Sequence, residues 1–147
     1  MDEFRENRAG AHSHPVRVYY EDTDAAGIVY YANYLKFAER ARTEMLRDMG
    51  FDQIRIRDED DAAFAVRACS VDYRRPARFD DALVVHTEVE KVGGASIGLV
   101  QTVTREGEVL VVMHVTLVCI RRDGRAGRVP ANVRRALDAA MSSLNEA

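Results

Sequence analysis

The sequence predicts an α+β domain in which one antiparallel sheet of about five strands packs against a single long helix, followed by a C-terminal helix. Four long β-rich segments follow one another and are joined by short turns, so neighbouring strands should run in opposite directions. One amphipathic segment of helical period lies between the first strand and these four. The chain has 147 residues, 47% hydrophobic and 31% charged, which is typical of one globular domain with its own core.

The N-terminal segment 1–14 is polar and has almost no large apolar residues. It is expected to be a mobile arm, which leaves 15–147 as the single folded domain. Pro15 then opens the first strand, predicted over Val16 to Tyr20, with alternate side chains pointing to one face.

The long helix is predicted from about Asn33 to Met49, and Asn33 or a neighbour can cap it. Gly50 stands where a glycine commonly ends a helix. Its apolar stripe has helical spacing and consists of Tyr34, Phe37, Ala38, Ala41, Met45 and Met49, widened by Leu35 and Leu46. A helix with one such stripe must bury it, so it is expected to cross the concave face of the sheet.

The charged connection 52–61 predicts either a short helix or an irregular segment. Gly93 and Gly94 give a hairpin signal between two of the strands that follow. The predicted strands and last helix are Phe64 to Arg74, Ala82 to Val92, Ala95 to Arg105, Glu108 to Arg122, and the helix Asn132 to about Leu144.

Composition excludes several classes of function. The net charge is −3, from 21 basic and 24 acidic residues, which gives no electrostatic case for nucleic acid as the main partner. No apolar stretch reaches membrane-spanning length and the N-terminus has no signal-peptide core, so a cytoplasmic protein is expected. Cys69 and Cys119 lie in apolar runs without metal-like spacing, which favours small buried hydrophobes in a reducing compartment and no metal site.

An acidic turn lies between the first strand and the long helix. It carries Asp22 and Asp24, then Gly27, and the apolar run Ile28 to Tyr31 follows. This run is expected to draw the turn towards the interior, where loss of water makes a carboxylate more basic and a candidate for catalysis. The alternative is a plain turn or capping role for these aspartates.

The order of elements and one long motif resemble the hotdog-fold thioesterases. The resemblance is closest to the YbgC branch of the 4-hydroxybenzoyl-CoA thioesterase-like family, which is associated with the Tol-Pal system. It rests on Pro15 to Asp24, Gly27, Val29-Tyr30, Tyr34, Phe37, Glu39 to Leu46, Val71, Tyr73, Pro76 to Arg78 and Asp80-Asp81, and covers about residues 15 to 140. It implies a curved antiparallel sheet wrapped around one long helix.

The resemblance implies roles for particular residues. Asp24 is the catalytic carboxylate, as nucleophile or as general base, and the backbone N–H of Tyr31 polarises the thioester carbonyl. Arg125 and Arg128 are expected near the phosphates of coenzyme A. Supporting residues are Asp22, Gly27, Tyr30 and Tyr34. The tyrosines at the helix entrance fit an acyl pocket and a plain core equally well.

The implied activity is hydrolysis of an acyl-CoA to a free acid and coenzyme A, with no metal or other cofactor. The resemblance also implies a homodimer or a homotetramer built as a dimer of dimers, joined through an edge strand. The alternative is a non-catalytic protein of the cell-envelope machinery that binds acyl-CoA or acyl carrier protein. The sequence leaves open the acyl group and whether coenzyme A or acyl carrier protein carries the thioester.

Overall fold

The computed structural model describes residues 11–146, with side chains described through Ser142. Three α-helices and five β-strands make up this part of the chain. In chain order they are β1 (His12–Arg17), α1 (Asn33–Asp48), α2 (Gln53–Asp60), β2 (Ala63–Tyr73), β3 (Ala82–Val92), β4 (Ser96–Arg105), β5 (Glu108–Ile120) and α3 (Ala131–Glu146). A single 3-10 turn, Tyr20–Asp22, follows β1.

The five strands form one antiparallel sheet in the order β1-β3-β4-β5-β2. The predicted strands are confirmed to within a residue or two, except that β1 is displaced towards the N-terminus. The two edges of the sheet are therefore β1 and β2. Although β2 precedes β3 in the chain, it pairs with β5 at the far side of the sheet.

The helix α1 packs against the curved sheet, as its stripe predicts. Its buried residues are Tyr34, Phe37, Ala38, Ala41, Met45 and Leu46. They join a core that also takes alternate residues from β3, β4 and β5, such as Val85, Val103 and Val111. The helix ends before Gly50, which has the left-handed φ of +94° expected of a glycine stop. Burial of this stripe fixes where the start of α1 lies relative to the sheet.

The start of α1 settles which residue occupies the capping position. The capping position is Ala32, which makes no side-chain capping hydrogen bond, and Asn33 is the first helical residue. The Asn33 side chain instead donates to the carbonyl oxygen of Asp22, 2.9 Å away. Of the two predicted alternatives, the neighbour Ala32 therefore occupies the cap position, and the Asn33 amide bonds to the acidic turn.

The predicted arm 1–14 falls largely on residues 1–10, which lie outside the described residues. Its boundary at 14 is wrong, because β1 begins at His12 and pairs with β3. The His12 Nε2 atom lies 2.7 Å from the Asp48 carboxylate at the end of α1, so this residue joins the strand to the helix.

Two further expectations are settled by the structure. The connection 52–61 forms the helix α2, capped by the Asp52 carboxylate, which accepts a hydrogen bond from the Ile54 N–H at 2.9 Å. Cys119 is buried, but Cys69 is exposed, so the prediction of a buried residue is wrong there. The reason is topological: Cys69 lies on β2, which has no neighbouring strand on its outer side.

Candidate active site

A tight turn that links the end of β1 to α1 holds Asp24. The Asp24 N–H donates to the carbonyl of Ile28 and its own carbonyl accepts from the N–H of Gly27, both at 3.0 Å. The Asp24 Oδ1 atom accepts from the N–H of Ala26 at 2.9 Å. Gly27 has a φ of +78°, which a residue with a Cβ atom adopts only with strain. The backbone thus orients the carboxylate through one of its two oxygens.

The carboxylate of Asp24 is exposed to water in the single chain. The apolar run does enter the interior at Val29, which is 2% exposed and whose N–H donates to the Ala77 carbonyl at 2.8 Å. The tip of the turn, however, projects away from that contact. The expectation that the whole turn is drawn into the interior is therefore wrong for the isolated chain.

Asp22 shapes the turn through both its side chain and its backbone. Its Oδ2 atom accepts from the Tyr19 N–H at 2.8 Å. Its carbonyl oxygen accepts from the Tyr30 N–H and from the Asn33 side chain, each at 2.9 Å. These hydrogen bonds lie within the protein, so the structure gives Asp22 contacts that hold the turn against the start of α1.

The backbone N–H of Tyr31 stands just before α1. No hydrogen-bond acceptor for it lies within residues 11–146. The preceding carbonyl, that of Tyr30, accepts from the Asn33 N–H at 2.8 Å. The positive end of the helix dipole lies at this end of α1. An unpaired N–H in this position is suited to bind an oxyanion.

Tyr31 and Tyr34 line a cleft of about 280 Å³ beside the start of α1. Tyr31 is 61% exposed, whereas Tyr34 is 2% exposed and belongs to both cleft and core. The Tyr34 hydroxyl accepts from the buried N–H of Ala77 at 3.0 Å, and burial raises the pKa of its phenol. The cleft is lined by Ile28, Val29, Tyr31, Tyr34, Tyr73, Arg74, Arg75 and Pro76.

Tyr30 lies outside this lining and is 44% exposed. Its ring centre is 4.9 Å from that of Tyr31. A hydrogen bond with Tyr31 and, as a smaller effect, the charge of Asp24 raise the pKa of the Tyr30 phenol. The charge of Asp24 thus acts on Tyr30, the residue next to the cleft-lining Tyr31.

Sequence reasoning did not assign Tyr73 to the site. The Tyr73 hydroxyl donates to the carbonyl of Tyr31 at 3.1 Å, and the two rings meet edge to face at 6.1 Å. A signal for Tyr73 exists in the alternation of β2, which places Tyr73 on the same face as Cys69 and Val71. That β2 ends beside α1 follows from strand order and has no local signal.

Arg125 and Arg128 lie in the segment between β5 and α3, at the other end of the sheet from the cleft. In the sheet register Ile120 is opposite Ala63, whereas Val111 is opposite Tyr73. The nine steps along the strand from Val111 to Ile120 span about 30 Å at ~3.3 Å per residue. Within one chain, these arginines are therefore far from Asp24 and Tyr31.

A second cleft in the described region contains none of the predicted site residues. This cleft, of about 190 Å³, lies between α2 and the start of β2, and includes Ile54, Ile56 and Phe64. No group of three His, Cys, Asp or Glu residues within 11–146 is placed to hold a metal ion. In the same part of the chain, no helix has both the length and the apolar character needed to cross a membrane.

A family model, two relatives and a solved structure all indicate that this chain is similar to thioesterases. The model of the thioesterase superfamily matches residues 26–112. The acyl-CoA thioesterase YbgC of Haemophilus influenzae is 48% identical over 74% of this chain and 79% of its own length. The acyl-CoA thioester hydrolase YbgC of Escherichia coli O157:H7 is 50% identical over 72% of this chain and 79% of its length. A probable thioesterase of Bartonella henselae has a solved structure with a TM-score of 0.79, at 34% identity, covering 82% of this chain and 99% of that one.

The family model begins after Asp24 and covers α1, α2, the strands β2 to β4 and the first part of β5. The architecture agrees with that of the Bartonella henselae structure, and the sheet wrapped around α1 is the hotdog fold. The chain therefore belongs to the thioesterase superfamily, within its YbgC branch.

Proposed function

We propose that this chain hydrolyses an acyl-CoA to a free carboxylic acid and coenzyme A, with Asp24 as the catalytic carboxylate and the Tyr31 N–H as the oxyanion donor. One observation carries the proposal: a backbone-oriented carboxylate and an unpaired N–H at a helix start flank one short segment beside an open cleft. The names of the YbgC relatives support the thioester as the substrate class.

The chemistry needs little more than these two groups. The Tyr31 N–H stabilises the negative charge that develops on the thioester oxygen. A thiolate leaves readily, so the acyl carbon needs only a nucleophile. Asp24 supplies it either by attacking the acyl carbon, which forms a mixed anhydride and releases the coenzyme A thiolate, or by taking a proton from an attacking water. In the first route, water then hydrolyses the anhydride and restores the carboxylate.

The supporting residues have structural reasons to act on this site. Asp22 holds the turn, and Gly27 permits its left-handed backbone. Tyr34 anchors Ala77 beneath the cleft, and Tyr30 lies against Tyr31. We assign all four to positioning the reacting groups and shaping the acyl site.

Recognition of coenzyme A by Arg125 and Arg128 requires a second copy of the chain. Two-fold pairing through the β2 edge makes two β2 strands antiparallel, so the far end of one subunit's sheet lies beside the other subunit's Tyr73 end. The segment between β5 and α3 of the partner subunit, which carries the two arginines, would then face this subunit's cleft. Such a pair also covers Cys69, which the single chain leaves exposed. We propose a homodimer built in this way, which two copies extend to a tetramer.

A panel of acyl-CoA thioesters tests the proposal, with short, long and aromatic acyl groups, and with the free thiol measured as it is released. We expect sustained turnover of at least one class. Mass spectrometry of acid-quenched enzyme then separates the two routes, because only nucleophilic attack adds an acyl group to the peptide containing Asp24. Tight binding of acyl-CoA or acyl carrier protein, with no turnover of either thioester, would contradict hydrolysis and favour a scaffold role.

A further inference from the structure

Asn33 is placed to link the two halves of the candidate site. It is the first residue of α1 and is half-buried, yet its side chain does not cap the helix. Its Nδ2 atom donates to the carbonyl oxygen of Asp22 at 2.9 Å. We propose that Asn33 is a positioning residue for the reaction, which holds the Asp24 turn and the Tyr31 N–H in one rigid unit. This inference rests on the roles proposed for Asp24 and Tyr31.

Three hydrogen bonds form a closed set around the start of α1. The Asp22 carbonyl accepts from the Tyr30 N–H at 2.9 Å as well as from the Asn33 side chain. The Tyr30 carbonyl in turn accepts from the Asn33 N–H at 2.8 Å. Asn33 thus takes part in two of the three, through its backbone and through its side chain.

This set fixes the direction of the Tyr31 N–H. The Tyr30 carbonyl and the Tyr31 N–H belong to the same planar peptide unit and point in opposite directions. Because the carbonyl is held by Asn33, the N–H has one direction open to it. A carbonyl that accepts a hydrogen bond also makes the N–H of its own peptide a better donor.

The side chain supplies what the backbone bonds alone do not. It joins the first residue of α1 directly to Asp22, two residues before the proposed catalytic carboxylate. Asn33 does not line the cleft, so it acts through Asp22 and Tyr30 and not on the substrate. Its loss should change the alignment of carboxylate and oxyanion donor while leaving the acyl and coenzyme A contacts in place.

The substitution Asn33→Asp tests the inference with a side chain of the same shape. At neutral pH the aspartate cannot donate to the Asp22 carbonyl, although a negative charge at a helix start favours the helix itself. We expect kcat to fall about 10- to 100-fold with KM within about threefold, because small displacements of reacting groups cost rates of this order. Towards low pH the protonated carboxyl donates again, so the ratio of variant to parent kcat should rise.

The matched control is Asn132→Asp, at the start of α3, where the Asn132 Oδ1 atom accepts from the Val133 N–H. This variant should keep the parent kcat and the same pH profile. Asn33→Ala, which cannot donate at any pH, should lose kcat to the same extent and show no recovery at low pH. Thermal unfolding of each variant reports the folded fraction.

Two results would overturn the positioning role. One is a parental kcat in both Asn33 variants. The other is a loss of kcat equal to the loss of folded protein, with a variant-to-parent ratio that does not change with pH. Asp24→Asn is measured alongside them. If Asp24→Asn is inactive while the Asn33 variants keep the parent kcat, only the inference about Asn33 fails. If Asp24→Asn keeps full turnover, the proposed catalytic role of Asp24, on which the inference rests, is contradicted.

Discussion

At the scale of single residues, the two aspartates of the acidic turn do different things. Asp22 is half-buried and its carbonyl accepts from Tyr30 and Asn33 at the start of α1, whereas Asp24 is exposed and its carboxylate accepts from the Ala26 N–H within its own turn. An exposed carboxylate is a weak base, so the role proposed for Asp24 requires that substrate or a second subunit exclude water from it. The site of the single chain is thus preformed in geometry but open in environment.

Asp81 shows how a residue outside the chemistry holds the segment that lines the cleft. Its Oδ2 atom accepts from the Arg78 N–H at 2.8 Å and from the Arg105 guanidinium at 2.9 Å. Burial alone would raise the pKa of Asp81, but these hydrogen bonds outweigh it and lower the pKa. Stability from this group is therefore present above the unfolded pKa of about 3.9 and is lost as pH falls through the lower folded value.

Asp81→Asn should lower the free energy of unfolding by about 1 to 2 kcal/mol at pH 7, because a charge-assisted, partly buried pair is broken. The variant should also lose less stability than the parent between about pH 5 and pH 2. Urea unfolding at several pH values measures both effects. Asp80→Asn is the matched control, since Asp80 is exposed and lies 3.9 Å from Arg17, and it should change stability by less than about 0.5 kcal/mol. Equal acid sensitivity of Asp81→Asn and the parent would contradict the role of the pair.

At the scale of elements, the two edges of the sheet differ. The strand β1 has 6 residues and contains Pro15, which cannot donate a ladder hydrogen bond, whereas β2 has 11 residues and no proline. Long bare edges are prone to pairing. Exposed large side chains lie on β2 and beside its end: Val66 and Tyr73 are on the strand, and the exposed Tyr31 ring meets that of Tyr73. The edge that pairs with a second copy should therefore be β2.

Sedimentation measures this pairing. The parent, with a chain mass of 16.5 kDa, should sediment as two or more copies. Cys69→Glu places charge on the β2 edge and should weaken the assembly at least tenfold, since like charges meet across the two-fold axis and lose water. Pro15→Glu on the β1 edge serves as the control and should leave the assembly intact. A monomeric parent that still hydrolyses thioesters would contradict the proposal that two subunits share each site.

At the scale of the whole molecule, the sequence predicts the features that nearby residues encode. It does not predict the features that depend on which strands become neighbours in the sheet. The stripe of α1 with Gly50, and the turn glycines between strands, are local and mark these elements closely. The acidic turn is local too, so the sequence is enough to propose Asp24 and the Tyr31 N–H as site groups, and their roles stay a prediction. The exposure of Asp24 and Cys69, and the place of Tyr73 in the cleft, depend on β2 lying beside β5 at an edge. No nearby residue encodes that neighbour, so these features appear only in the folded chain.

The turnover of an acyl-CoA by Asp24→Asn, compared with the parent, tests the central claim most directly. Asparagine keeps the shape of the side chain and its acceptor for the Ala26 N–H, but it is neither a base nor an effective nucleophile. We predict at least a ~100-fold fall in kcat, the lower range for loss of such a group, with folding unchanged. A kcat equal to that of the parent would contradict the assignment of Asp24 as the catalytic carboxylate.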